Sequence, residues 1–218
     1  SNNWFGDISF FDGAQQLTFA DLDRLSERVA LGLRALGVGA GDVVAYQLPN
    51  WWEAVVLCWA VWRCGATASP ITPALGAHEV GFILRQTAAR LVVVPRTFRG
   101  TDYPGLLQTA GFQGDVFVVR DGSPLPESSE PAPALDGPVD GAALILWTSG
   151  TTSEPKGVLH THQSLRVEAD TIAAAHRMRR GESLLLPMPV THVAGLTYGI
   201  LLPVTSGITT VLMDTWDP

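Results

Sequence analysis

The stretch from Leu144 to Val158 reads LILWTSGTTSEPKGV and is the most informative segment of the chain. Its apolar run stops abruptly at small hydroxyl residues and glycine, which predicts a strand that feeds a loop. Gly150 permits a positive φ and a close approach of the backbone, while exposed N–H and hydroxyl groups present donors to a polyphosphate. Lys156 is the only lysine of the chain, whose other thirteen cationic side chains are arginines. A flexible ammonium suits a shifting phosphate better than a rigid guanidinium.

Other interpretations of this loop are weaker. A Ser/Thr/Gly turn with an incidental surface lysine is the structural alternative. The loop does not fit the pattern G-x-x-x-x-G-K-[ST], because Pro155 precedes the lysine and Gly157 follows it, which disfavours a P-loop NTPase. A serine hydrolase is set aside because no glycine stands before Ser149 in the required elbow.

Composition bounds the class of protein. With 218 residues, 46% of them hydrophobic and 16% charged, the chain forms one large or two small globular domains. A net charge of -7 argues against nucleic acid or an anionic membrane as a partner. Cys58 and Cys64 lie about 240° apart on a helix and are predicted to be packing residues in a reducing compartment. No signal peptide or membrane-spanning run is evident, so we expect a cytoplasmic location.

Strands and helices alternate along the chain, which predicts an α/β fold with a mostly parallel sheet flanked by helices. Residues 3–16 are expected to form an irregular lead-in, and Thr18 and Asp21 are expected to cap the first helix, which Gly37 ends. The predicted strands are 42–48, 65–70, 90–94, 115–119, 183–186 and 208–213, and the further helices are 51–64, 75–86 and 162–180.

The predicted organisation has two lobes. Residues 1–122 form a first α/β lobe, and residues 141–218 begin a second lobe that carries the loop. The proline-rich stretch 123–140 has the composition of an exposed connector.

Several histidines and tryptophans are further candidates for ligand-binding or metal-binding residues. His192 lies at a strand-to-helix junction, where side chains point into the crevice of an open α/β sheet, although a core or capping role is the structural alternative. His160 and His162 would share one face of a strand, but no further ligand stands nearby to complete a metal site. The tryptophans between Trp51 and Trp62 have the spacing of a core-facing helix, which favours packing over a ligand cage.

Residues 148–157, TSGTTSEPKG, resemble the phosphate-loop signature T-S-G-T-T-G-x-P-K-G of the adenylate-forming (AMP-binding) superfamily. Ser153 stands where the family usually has glycine, and serine there costs about 1 kcal/mol if φ is positive. Residues 187–196 match the family's P-x-x-H-x-x-G-L pattern once two extra residues before the histidine are allowed. Its opening landmarks also occur in order, at 17–22, 36–38, 41–45, 48–50 and 65–66.

The resemblance implies the partial N-terminal domain of an acyl-CoA synthetase-like fold, with stacked, helix-flanked sheets. It implies ATP-dependent activation of a carboxylic acid to an acyl-adenylate, followed by transfer to coenzyme A, with Mg²⁺ as a cofactor. Lys156 and His192 would be the catalytic residues. The nucleotide-binding residues would be Thr148, Ser149, Gly150, Thr151, Thr152, Ser153 and Lys156.

Several points stay open in this resemblance. The family's metal-binding glutamate belongs to a later motif, so no metal residue is assigned, and the chain is expected to be an N-terminal fragment that does not turn over alone. Val190, Val193 and Leu196 around His192 favour a fatty or aromatic acid. The alternatives are an amino-acid adenylation domain that loads a carrier protein and a non-catalytic nucleotide-binding module, which Ser153 favours.

Overall fold

The alternation of apolar runs and amphipathic segments is realised as alternating strands and helices. The computed structural model describes residues 8–13, 15–122, 124–130, 141–148 and 154–215. The strands are β1 (Ile8–Asp12), β2 (Gln15–Thr18), β3 (Val43–Tyr46), β4 (Thr67–Pro70), β5 (Leu91–Pro95), β6 (Thr97–Phe98), β7 (Thr101–Asp102), β8 (Asp115–Val119), β9 (Ala142–Thr148), β10 (Lys156–Thr161), β11 (Ser183–Leu186) and β12 (Thr209–Leu212). The helices are α1 (Phe19–Ala35), α2 (Trp52–Arg63), α3 (Ala77–Gln86), α4 (Tyr103–Ala110), α5 (His162–Ala175), α6 (Val193–Leu196) and α7 (Leu202–Ser206), with a π-helical turn at Thr197–Leu201.

The first helix begins and ends as predicted. The Thr18 hydroxyl accepts a hydrogen bond from the Asp21 N–H (3.0 Å), and the Asp21 carboxylate accepts one from the Thr18 N–H (3.0 Å). This reciprocal pair satisfies two backbone donors that the helix leaves free. Gly37 follows the helix with φ +80°, a conformation that costs glycine little. The capping prediction is therefore confirmed.

A six-stranded sheet in the order β10-β9-β4-β3-β5-β8 forms the centre of the fold. Each neighbouring pair is parallel except β9 and β10, which confirms the predicted mostly parallel sheet. Alternate residues of β5 enter two different cores: Leu91 and Val93 pack with α1 and α2, whereas Val92 and Val94 pack with α3 and α4. A sheet covered on both faces requires the continuous apolar strands seen in the sequence.

The N-terminal residues form a second sheet, so the prediction of an irregular lead-in is wrong over its described part. β1 and β2 pair antiparallel, and β1 also pairs parallel to β12, in the order β11-β12-β1-β2. Phe10 is completely buried in the main core. The partner strand of β1 lies some two hundred residues further along the chain, so no local pattern indicates the pairing.

Strand pairing does not follow the predicted division of the chain into residues 1–122 and 141–218. β9 and β10 join the sheet of β3, β4, β5 and β8, and β1 and β2 join the sheet of β11 and β12. The described part of the predicted connector is also not a freely exposed loop. Leu125 is buried in the main core, and the Ser128 N–H donates to the Arg28 carbonyl of α1 (3.0 Å).

A short helix and two cysteines complete the described fold. α4, which the sequence analysis did not predict, packs through Tyr103 and Leu107 into the core beneath α3. Cys58 and Cys64 are buried free thiols, as predicted for packing residues. Within the described ranges, none of the helices has both the length and the apolar character that crossing a bilayer requires.

Candidate functional site

The predicted loop starts from a central strand and returns as an edge strand. β9 lies between β4 and β10, and the register places Thr148, its last residue, opposite Lys156, the first residue of β10. The Thr148 hydroxyl donates to the Lys156 carbonyl (3.3 Å). The lysine backbone is therefore held by the sheet, while its four-carbon side chain keeps its reach. The strand before the loop was predicted, whereas the return strand β10 was not.

The five residues between these strands, 149–153, lie outside the described residues. The predicted phosphate contacts of Ser149, Gly150, Thr151, Thr152 and Ser153 therefore stay predictions. Of the predicted nucleotide-binding residues, the structure describes Thr148 and Lys156, and it brings these two together across the hairpin.

An open groove of about 530 Å³ lies beside the hairpin. It is lined by Phe82, Gln86, Trp147, Glu154, Pro155, Lys156 and Gly157. Lys156 is exposed, and no described acidic side chain forms an ion pair with it. Glu154 lines the same groove but is not paired with Lys156, so the ammonium can neutralise charge on an anionic ligand.

Packing explains why glycine, Gly157, follows Lys156. A Cβ placed on Gly157 would lie 3.0 Å from the Ile145 Cγ2 and 3.2 Å from the Trp147 ring. The Trp147 indole N–H in turn donates to the Oγ of buried Ser69 (3.0 Å), which fixes the ring beside the groove. Packing against β9 therefore favours the small residue directly after Lys156.

A buried asparagine organises the turn that leads to His192. The Asn50 side chain donates to the carbonyls of Leu186 (3.2 Å), Met188 (2.9 Å) and Met213 (2.9 Å), and its oxygen accepts from the Val190 N–H (2.8 Å). Asn50 follows β3, and these carbonyls end or follow β11 and β12. The carboxyl ends of strands from both sheets therefore meet at one side chain. Sequence analysis missed this role, because an asparagine before an apolar helix has the pattern of a helix cap.

His192 is exposed at the residue before α6. Its backbone N–H donates to the Pro189 carbonyl (3.0 Å), and its carbonyl accepts from the Leu196 N–H (2.8 Å). Its side chain makes no hydrogen bond to the start of the helix. The ring is thus left accessible to a ligand.

The predicted apolar surroundings of His192 are only partly present. Val190 and Leu196 are completely buried in the main core, and among the three apolar neighbours only Val193 stays exposed. The reason is that the turn and α6 bury their apolar side chains against the sheet. Val190 and Leu196 therefore offer no exposed apolar surface beside His192, and the predicted preference for a fatty or aromatic acid stays a prediction.

The segments that carry Lys156 and His192 share one edge of the molecule. β9 runs parallel to β4 and β4 to β3, so Thr148, which ends β9, and Asn50, which follows β3, lie at the same edge of the sheet. This is the edge at which open α/β sheets bind ligands. The groove beside Lys156 does not include His192, however, so the described residues do not place the two in one cavity.

The paired histidines do not form a site. His160 lies in β10, whereas His162 begins α5 and packs its ring against Trp62, with 5.5 Å between the ring centroids. The two residues therefore do not share a strand face, as their spacing had suggested. No group of three or more metal-ligating side chains occurs in the part of the chain that the structure describes.

The fold is α/β, and Lys156 lies at the strand ends after a loop whose sequence is rich in Ser, Thr and Gly. The chain belongs to the AMP-binding enzyme family, whose model matches residues 2–218.

Similar proteins include CoA ligases. The long-chain-fatty-acid–CoA ligase FadD13 of Mycobacterium tuberculosis is 34% identical over 210 residues, which cover 93% of this chain and 41% of that protein. The medium-chain fatty-acid–CoA ligase of Escherichia coli is 26% identical, over 92% of this chain and 38% of that protein. The chain thus spans about two fifths of the length of these relatives.

Solved structures show the same architecture. The inhibitor-bound N-terminal domain of FACL13 from Mycobacterium tuberculosis superposes with a TM-score of 0.82 at 30% identity, covering 96% of this chain and 54% of that one. The O-succinylbenzoate CoA synthetase of Bacillus subtilis in complex with ATP and magnesium gives 0.78 at 26% identity, covering 96% and 54%. The predicted fold class is confirmed by these structures.

Proposed function

We propose that this chain supplies the ATP-phosphate site of an enzyme that activates a carboxylic acid as an acyl-adenylate and transfers the acyl group to coenzyme A. The observation that carries the proposal is Lys156, the chain's one lysine, fixed opposite Thr148 beside an open groove and without a described counter-ion. Membership of the AMP-binding family and the CoA-ligase relatives support the same reaction.

In the proposed reaction, a carboxylate oxygen attacks the α-phosphorus of ATP, and the bond to the departing pyrophosphate breaks. Lys156 neutralises charge on the β- and γ-phosphates, and the Thr148 hydroxyl would donate to them after giving up its bond to the Lys156 carbonyl. Ser149, Gly150, Thr151, Thr152 and Ser153 are proposed to cradle the same phosphates. Catalysis would then rest on positioning and electrostatic stabilisation. Magnesium would be held by the phosphates, and we assign it no protein ligand.

The test is ATP affinity, measured by calorimetry on the 218-residue chain. Lys156→Ala should weaken ATP binding by about tenfold to a hundredfold, since a charge-assisted hydrogen bond is lost. Lys156→Arg should retain part of the affinity, because it keeps the charge but not the point-like ammonium. Arg24→Ala is the matched control, because it also removes one cation, from an exposed pair on α1. Wild-type affinity in Lys156→Ala would refute the proposal.

We also propose that the isolated chain binds ATP without completing adenylation, because the CoA ligases it resembles are more than twice as long. ATP–pyrophosphate exchange by the chain should therefore not exceed that of the Lys156→Ala variant. Exchange clearly above that control would show that these 218 residues suffice.

His192 is proposed to contact the activated acid. Two observations support this role: the ring is exposed, and its turn is held by Asn50 near the carboxyl ends of the strands, where open α/β sheets bind ligands. An acyl sulfamoyladenosine, which mimics the adenylate, should shift the His192 ring signals in an NMR spectrum. His176, which is hydrogen-bonded to the Tyr198 hydroxyl, is the internal control and should not shift. Unchanged His192 signals at saturation would remove it from the acid site.

The acid itself is proposed to be a fatty or related apolar acid. Relatives at similar coverage are named as ligases of long-chain and medium-chain fatty acids. Comparing acyl sulfamoyladenosines with short, long and aromatic acyl groups in the same titration would rank the candidates.

A further inference from the structure

The indole ring of Trp147 spans three strands of the central sheet. Its N–H donates to the Oγ of Ser69 on β4 (3.0 Å). Its far edge lies over β10, because a Cβ placed on Gly157 would lie 3.2 Å from the Cη2 and 3.3 Å from the Cζ3 of the ring. Trp147 itself belongs to β9, the strand between β4 and β10. One ring therefore links the strand that leads into the loop to the strands on both of its sides.

The anchor of this ring is part of the buried sheet. Ser69 is completely buried, and its strand β4 lies between β3 and β9. A tryptophan side chain has only two rotatable bonds, so a hydrogen bond at its N–H leaves the ring little freedom. The orientation of the Trp147 ring is therefore set by β4, which is not a strand of the β9–β10 hairpin.

The other edge of the ring constrains the start of β10. The register places Gly157 opposite Trp147 and Lys156 opposite Thr148. In the described sheet β10 is the edge strand, so its backbone pairs with another strand on the β9 side alone. The absence of a side chain on Gly157 lets the ring lie directly on the backbone that follows Lys156. The ring therefore limits where the lysine backbone, and with it the root of the ammonium side chain, can lie.

We propose that Trp147, anchored by Ser69, is a positioning residue for Lys156. The proposal rests on the proposed function, in which Lys156 binds the phosphates of ATP. Trp147 holds the start of β10 in place, so the ammonium is pre-organised in the groove and less freedom is lost when ATP binds. The indole acts through the lysine and not by contact with the phosphates. The affinity for ATP should therefore depend on a hydrogen bond between two side chains of other strands.

The first measurement needs no nucleotide. The chain has one lysine, so labelling with ¹⁵N-lysine gives a single backbone amide signal in an NMR spectrum, that of Lys156. Trp147→Phe keeps a ring but removes the N–H, and Ser69→Ala removes the acceptor but keeps the indole. Both variants should shift the Lys156 signal. Thr67→Val is the matched control, because it removes a hydroxyl from the same strand that donates to Ala142 at the far end of β9 (2.6 Å), and it should leave the signal in place.

The second measurement is calorimetric titration of the 218-residue chain with ATP. Trp147→Phe and Ser69→Ala should each weaken binding by about threefold to tenfold, which is less than the loss expected for Lys156→Ala. In the Lys156→Ala background, Trp147→Phe should cause no further loss, because its effect passes through the lysine. A side chain that only stabilises the fold would not show this dependence on Lys156. Thr67→Val should bind ATP like the wild type.

Circular dichroism checks that each variant folds, and Ser69→Ala keeps the test valid if Trp147→Phe unfolds. The proposal is overturned if folded Ser69→Ala binds ATP like the wild type while Lys156→Ala does not. It is equally overturned if Trp147→Phe weakens binding to the same extent with and without Lys156, since the ring would then contact the ligand directly. Wild-type affinity in Lys156→Ala would refute the proposed function instead, and the Lys156 amide signal would still decide whether Trp147 holds the lysine.

Discussion

Replacing Asn50 with alanine should detach the turn before His192 from the carboxyl ends of the strands. The Asn50 side chain is almost fully buried, at 4% exposure. Its amide donates to the carbonyls of Leu186, Met188 and Met213, and its oxygen accepts from the Val190 N–H. Alanine removes all of these contacts at once and leaves a buried N–H without an acceptor.

The expected loss of stability follows from the hydrogen bonds that the Asn50 side chain makes. An amide NH₂ has two hydrogens, so its three carbonyl contacts count as two full hydrogen bonds, and the Val190 N–H adds a third. At about 1 kcal/mol for each of the two bonds to carbonyls and about 1 to 3 kcal/mol for the Val190 N–H that loses its acceptor, the free energy of unfolding should fall by about 3 to 5 kcal/mol. Asn50→Asp keeps an acceptor for Val190 but loses the donors, so we expect a cost of about 2 kcal/mol or more.

Urea unfolding of the wild type and both variants measures this cost. Gln47→Ala is the matched control, because Gln47 is a buried amide that donates to the carbonyls of Thr72 and Leu75 and not to the His192 turn. In folded protein, the His192 ring signals should shift in Asn50→Asp and stay unchanged in Gln47→Ala. A loss below about 1 kcal/mol in Asn50→Ala, or unchanged His192 signals in Asn50→Asp, would refute the reasoning.

Three further predictions concern stability. Arg120 donates two hydrogen bonds to the buried Glu53 carboxylate (2.7 and 2.8 Å). Arg120→Met leaves this carboxylate without those donors, so the free energy of unfolding should fall by about 2 to 3 kcal/mol. Burial lowers the pKa of the His162 ring in the folded protein, so the unfolded chain takes up the proton first as the pH falls. The free energy of unfolding should therefore decline between about pH 7 and pH 5. His162→Phe should flatten this decline in thermal melts. Gly195→Ala should cost about 2 kcal/mol or more in urea unfolding, because its Cβ would lie 1.8 Å from the Pro189 carbonyl oxygen.

Each of these predictions has a control. The double variant Arg120→Met with Glu53→Gln should regain part of the lost stability, since the unpaired charge is gone; no recovery would contradict the ion-pair argument. Arg179→Gln, at an exposed position, should leave the pH dependence unchanged. Gly39→Ala should be nearly neutral, because nothing lies within 4 Å of a Cβ at Gly39.

Local chemistry made part of the fold predictable. The capping box of Thr18 and Asp21 depends on four consecutive residues, and the apolar run of α2 by itself indicates a buried helix. The pairing of β1 with β12 has no such local signal, because it joins residues from the two ends of the chain. β10 was missed for another reason. Most of its residues are exposed at the edge of the sheet, so no buried alternating face marks it as a strand.

The candidate site was predictable to the extent that it depends on composition. Lys156 stood out as the only lysine, after a loop rich in hydroxyl groups. Asn50 did not stand out, because its four partners follow strands more than 130 residues away. Its role arises from tertiary contacts, which a residue pattern does not contain.

The three residues Pro155, Lys156 and Gly157 differ in what explains them. Gly157 follows from packing, since a side chain there would press on the Trp147 ring. Pro155 fixes φ just before β10, so it helps to set where the strand begins. Lys156 has neither reason: its backbone pairs with Thr148, as that of any residue would, and its ammonium has no described ion-pair partner. The fold requires the strand and the glycine but not the cation, which is the reason for proposing that Lys156 contacts an anionic ligand.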